Sequence, residues 1–96
     1  MWPWEHVGQS AADGILDDET YDWIPVVRTM IEGHGTPVVV AESRVLEANA
    51  LARATTDINA SHTGTAGLAG LLAARAEVGA GERVAVIFSG VNRSAR

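Results

Sequence analysis

Apolar residues fall along this chain in two rhythms, and the switches between them mark its elements. From residue 21 to 31 they recur as Tyr21, Trp23, Ile24, Val27, Met30 and Ile31, close to helical spacing. Pro25 interrupts that run. It predicts a helical turn from Asp18 and a helix that restarts near Pro25, with the proline in its first turn. Asp17 and Asp18 precede it, where carboxylates offset the positive end of the helix dipole. Gly33 and Gly35, around His34, predict its end.

The rhythm then becomes continuous. Residues 36–41, TPVVVA, form a short β-branched run that predicts a strand buried on both faces, with Pro37 at its start. Residues 42–56 return to helical spacing. Ser43 is the expected N-cap, Val45, Ala48, Leu51 and Ala52 the buried face, and Glu47, Asn49 and Arg53 the wet one. Thr55, Thr56 and Asp57 end it, and residues 58–60 are a strand of bridge length. A further helix is expected over residues 64–78, with Leu68, Leu71 and Leu72 as its apolar stripe. Gly64, Gly67 and Gly70 recur every third residue on a neighbouring face. Each costs about 1 kcal/mol against Ala in a helix, so close approach of another backbone is the expected reason for them. Residues 83–88, RVAVIF, read as a second buried strand, followed by the loop Ser89-Gly90-Val91-Asn92. Residues 1–12 and 93–96 read as irregular. Strands alternating with helices predict an α/β fold: a partial parallel sheet of two or three strands with flanking helices, in a single unit spanning residues 1–96. So few strands cannot cover both faces, which makes the unit part of a larger sheet.

Composition narrows the functions. A chain of 96 residues carries one small domain with a thin core, and much of its 47% hydrophobic content is alanine. The net charge of −5 argues against a nucleic-acid backbone as partner. No apolar run is long enough for a membrane span, and MWPWEHVG does not resemble a signal peptide, so a cytoplasmic location is expected. Cysteine is absent, which removes disulfides and thiolate chemistry. Lysine is absent too, so a Schiff base cannot form on this chain. His6, His34 and His62 lie too far apart in sequence for a local metal motif, and Asp13, Asp17 and Asp18 read as a solvated helix approach. Trp2 and Trp4 either cover the edge of the core or form a docking patch.

Two polar segments are candidate sites. Residues 89–92 follow the carboxyl end of a predicted strand, where open α/β sheets bind ligands. The Ser89 hydroxyl can meet a ring nitrogen and Gly90 gives a ring room to approach, although a plain turn explains the same residues. Residues 61–64 precede a helix start, where an anion is favoured, but Thr63 as an N-cap accounts for them as well.

Four pieces, in order, resemble the C-terminal part of fold-type II pyridoxal-phosphate enzymes, the tryptophan synthase β-like superfamily. They are Ala12-Asp13-Gly14-Ile15, PVVVAESRVLEAN from Pro37, Thr63-Gly64-Thr65-Ala66-Gly67-Leu68-Ala69, and Val84-Ala85-Val86-Ile87-Phe88-Ser89-Gly90-Val91-Asn92. DDETYDW and SHTGTAG resemble a threonine synthase-like subgroup. The resemblance implies a C-terminal fragment of a lyase or synthase of amino-acid metabolism, carrying out β/γ-elimination or replacement on a small amino acid. It implies pyridoxal 5′-phosphate as cofactor, with Ser89 on the pyridine nitrogen, Gly90 and Asn92 in the pocket wall, and Thr63 and Gly64 beside them. It also allows a homodimer of the full-length enzyme. Departures accompany it. Ser61-His62 stands where many relatives have Glu-Pro, and Val91 replaces a common glycine. The Schiff-base lysine, the substrate-carboxylate loop and the phosphate-cradling glycine loop are all missing. The expected partner is therefore an upstream part of the same enzyme, without which the chain is inactive. The alternative is a non-enzymatic interaction module that reuses the sheet.

Overall fold

The computed structural model describes residues 8–16 and 22–93. The expectations for Trp2, Trp4, His6, Asp17, Asp18, Tyr21 and the tail after Arg93 lie outside the described residues. Three α-helices form: α1 (Trp23–Gly33), α2 (Glu42–Thr55) and α3 (Ala66–Ala74), with short 3₁₀ turns at Asp13–Ile15 and Arg75–Glu77.

α1 contains Pro25 in its first turn, where the missing N–H would have had no partner in the helix. Its end is a Schellman motif. The Gly35 N–H donates to the Met30 carbonyl at 2.7 Å and the His34 N–H to the Ile31 carbonyl at 3.4 Å. The left-handed residue is His34, with φ of 56°, rather than either neighbouring glycine. α1 buries none of its residues and packs against neither α2 nor α3.

α2 and α3 pack on each other and build the core. Val45, Ala48, Ala12 and Ala69 are buried together, and Val40, Leu68 and Leu72 close over them. The buried face of α2 is Val45, Ala48, Asn49 and Ala52, spaced i, i+3, i+4 and i+7. Leu51, expected inside, is exposed, and Asn49, expected in water, is only 4% exposed. Neither helix has a side-chain N-cap: Ser43 lies inside the first turn of α2, whose N-cap is Ala41, and α3 begins after Thr65.

The expected α/β fold with a partial parallel sheet does not form. About half of the described residues are helical, and the one strand-type pairing among them is an isolated antiparallel bridge between Ala60 and Val91. Residues 37–41 and 83–88 have none of their groups in a ladder. Their β-branched composition favours an extended backbone, but a strand also needs a neighbour to fill its N–H and C=O groups, and neither run has one. The side chains show the same lack: Val39 is 97% exposed and Ile87 81%.

The glycine stripe has a packing cause at one position. A Cβ on Gly64 would overlap the Gly90 carbonyl oxygen and stand 2.8 Å from the Gly90 nitrogen. On Gly67 it would meet Val86 and the Ile87 carbonyl only at 3.7–3.8 Å, and on Gly70 the Val38 side chain at 4.0 Å, ordinary contact in both cases.

Candidate functional site

Residues 61–65 and 89–92, the two polar segments at opposite ends of α3 and its following run, come together. The Ser61 N–H donates to the Gly90 carbonyl and the Ser89 N–H to the Gly64 carbonyl, both at 3.1 Å. The Asn92 N–H donates to the Asn59 carbonyl at 2.8 Å, and the Asn59 amide returns a bond to the Asn92 carbonyl at 3.1 Å. A second bond from the Asn92 side-chain amide reaches the Ala60 carbonyl at 3.3 Å. The chain thus locks one loop onto the other through backbone groups that only a close approach can join, and Gly64 against Gly90 is that approach.

Beneath the junction lies a small buried polar centre. The Asn49 amide donates to the Ala60 carbonyl at 2.8 Å and to the Thr65 hydroxyl at 3.3 Å. Thr65 is fully buried, and its hydroxyl donates to the Ser61 carbonyl at 3.2 Å. The Ser61 hydroxyl accepts the Gly64 N–H at 2.9 Å, which holds the turn that starts α3. No buried side-chain polar atom among the described residues is left without a partner. This centre is therefore complete in itself, and Asn49 and Thr65 are structural.

The 10–15 segment is strapped to the same junction. The Gly14 N–H donates to the Thr63 hydroxyl at 2.9 Å, and a Cβ on Gly14 would stand 2.8 Å from that oxygen. Glu42, at the start of α2, accepts the Ala11 N–H and the Ser10 hydroxyl, each at 2.7 Å. These two bonds, the Ala11 one foremost, hold its carboxyl below the usual carboxylate range, with a smaller contribution from the charge of His62.

The five residues expected at a cofactor site divide accordingly. Thr63 spends its hydroxyl on Gly14, Gly64 is filled by Gly90, and Asn92 is bonded to Asn59 and Ala60. Gly90 packs against Gly64 and has the Ser61 hydroxyl 3.2 Å from where its own Cβ would be. Ser89 differs. It is exposed, its N–H is fixed, and its hydroxyl makes no hydrogen bond among the described residues. Against pyridoxal phosphate, then, these residues fit one contact, a hydroxyl on a fixed loop for the ring nitrogen. Nothing else in the group offers a cradle for the phosphate. Clusters of three or more metal-ligating side chains are absent among the described residues.

Sequence reasoning missed Asn49, Ser10 and Asn59. Asn49 had a signal: it stands at i+4 from Val45 and i−3 from Ala52, on the helical face that those residues define. The pairing of Ser10 with Glu42 and of Asn59 with Asn92, each across more than thirty positions, left no local trace. No known protein family, curated protein or solved structure matches the chain.

Proposed function

We propose that this chain forms one wall of a pyridoxal-phosphate site in a threonine synthase-like lyase or synthase acting on a small amino acid. The observation behind the reading is Ser89: a hydroxyl with no partner among the described residues, on a loop whose backbone is tied to Gly64. When bound, the cofactor supplies the electron sink for breaking bonds at the amino acid's carbons. The part of this chain is to present a neutral hydroxyl to the pyridine nitrogen and to hold it at a fixed height through the Ser89–Gly64 and Ser61–Gly90 bonds. A hydroxyl leaves that nitrogen less protonated than a carboxylate would, which suits elimination and replacement. The lysine amine and the phosphate cradle come from a second polypeptide segment, so the chain alone is inactive.

Titration with pyridoxamine phosphate, which needs no lysine, tests this reading by ligand fluorescence. Saturable binding is expected, weakened about tenfold or more in Ser89→Ala with the far-UV circular dichroism unchanged. Binding that is absent, or indifferent to Ser89→Ala, overturns it. The second reading, a non-enzymatic interaction module, is favoured by the exposed apolar residues of α1, Trp23, Ile24, Val27 and Ile31. It predicts no pyridoxamine phosphate binding at all.

A further inference from the structure

We infer that the link between Asp13 and Gly14 is a site of spontaneous covalent ageing, where aspartate turns to isoaspartate, and that the strap to Thr63 sets its rate. The inference does not rest on the cofactor reading. One glycine makes both the strap and the weak link. A Cβ on Gly14 would stand 2.8 Å from the Thr63 hydroxyl oxygen and 2.9 Å from its methyl carbon, so the strap admits no larger residue without displacing Thr63. The lack of a Cβ also leaves the Gly14 nitrogen open to the side chain before it. Asp22 and Asp57, the other described aspartates, precede Trp23 and Ile58, whose side chains crowd that nitrogen.

The chemistry needs only water. The Gly14 nitrogen attacks the side-chain carboxyl carbon of protonated Asp13. A C–N bond forms, a C–O bond breaks, and the amide proton leaves with the hydroxyl as one water molecule. Water then opens the resulting succinimide at either carbonyl. Opening at the side-chain carbon restores aspartate. Opening at the main-chain carbon gives isoaspartate, with no change in mass or oxidation state.

The ring closes only after rotation about the Asp13 Cα–C bond, which swings the Asp13 carbonyl oxygen and the Gly14 nitrogen together. Both are held. The Gly14 N–H donates to the Thr63 hydroxyl at 2.9 Å, and the Asp13 carbonyl accepts the Leu16 N–H at 3.1 Å. Glu42 anchors Ser10 and Ala11 just ahead of them. Ageing therefore waits on local opening of the strap. Isoaspartate adds a methylene to the main chain before Gly14, so the strap does not close again in its original register.

The full chain, kept for weeks in mildly acidic buffer at body temperature, is the test. Isoaspartate is counted by methyl transfer from a protein isoaspartyl methyltransferase and placed by peptide mapping. Among the described aspartates it is expected to gather at Asp13. Thr63→Val removes the acceptor and is expected to age about fivefold or more faster, the rise in open fraction that losing one such bond gives. Glu42→Gln slackens the other end and is expected to age faster by a smaller factor. Both are compared at unchanged far-UV circular dichroism, and if Thr63→Val does not fold, Glu42→Gln decides. Isoaspartate no more frequent at Asp13 than at Asp22 or Asp57 overturns the inference, as does ageing at the parent's rate in the folded variants.

Discussion

The junction around Gly64 and the helix α1 are built from opposite materials. The junction is made almost wholly of small and polar residues: Ala60, Ser61, Gly64, Thr65, Gly90 and Asn92, with Asn49 behind them. α1 carries much of the chain's bulk, with Trp23, Ile24, Val26, Val27 and Ile31. Yet Asn49, Ala60, Gly64 and Thr65 are buried and bonded, and the large residues of α1 are open to water. Apolar area would promise about 25 cal/mol per Å² if α1 found a cover, and among the described residues it finds none. Stability within the chain therefore rests on close backbone approach and hydrogen bonds that reach long distances in sequence.

The largest test of that contrast compares glycines within one stripe. Gly64→Ala must push the Gly90 backbone away and is expected to cost about 3 kcal/mol or more, by urea denaturation followed by circular dichroism. Gly67→Ala and Gly70→Ala meet only ordinary contacts and are expected to stabilise the chain, by up to about 1 kcal/mol each from helix propensity. If all three substitutions moved stability the same way, the junction would not be the element that Gly64 makes it.

A middle-sized effect separates two neighbours on α2. Asn49→Ala leaves the Ala60 carbonyl and the Thr65 hydroxyl buried with one partner fewer, at about 1–3 kcal/mol. Leu51→Ala, on the exposed side, is expected to cost well under about 1 kcal/mol in the same assay. Equal losses would return Leu51 to the core and Asn49 to the surface, as the bare sequence suggested.

The smallest effect is a pH dependence of the strap. Glu42 has its carboxyl held low by Ala11 and Ser10. A depressed carboxylate contributes stability that is present above its unfolded value and is lost as pH falls through the folded one. Amide hydrogen exchange at Ala11 and Gly14 should therefore lose protection only in the acid range below the ordinary glutamate value. In Glu42→Gln that acid step should disappear. An unchanged acid step in Glu42→Gln would place the titrating group elsewhere.

Much of the helical framework could be read from periodicity. α2 ends within a residue of its expected limits, and the end of α1 at His34 followed from its flanking glycines. What periodicity could not give was partnership. TPVVVA and RVAVIF carry the composition of strands, yet neither forms one. A ladder, however, is a property of two segments, and no residue within either run encodes the second. The polar centre failed to appear for a related reason. An asparagine on a helix is read as wet unless the carbonyl it will meet, here that of Ala60, is already known to lie opposite. Ser43 and Thr63 were natural caps by residue type, but the turn at Ser61 and the strap at Gly14 set where the helix begins and where the threonine hydroxyl goes. Of the candidate site, Ser89 alone has a side chain without a hydrogen bond among the described residues, since its neighbours serve the loop-to-loop lock.

The reciprocal bonds between Asn59 and Asn92 also order events in time. They join residues 33 positions apart, with all of α3 between them. Closing a loop of that length has its entropic cost before any of the five bonds between the two loops can form. During synthesis α2 and α3 can meet while the chain is still growing, but the junction has to wait until residue 92 is free of the ribosome. A chain stopped short of Val91 would keep its helices and lose the Asn59–Asn92 and Asn92–Ala60 bonds of the lock.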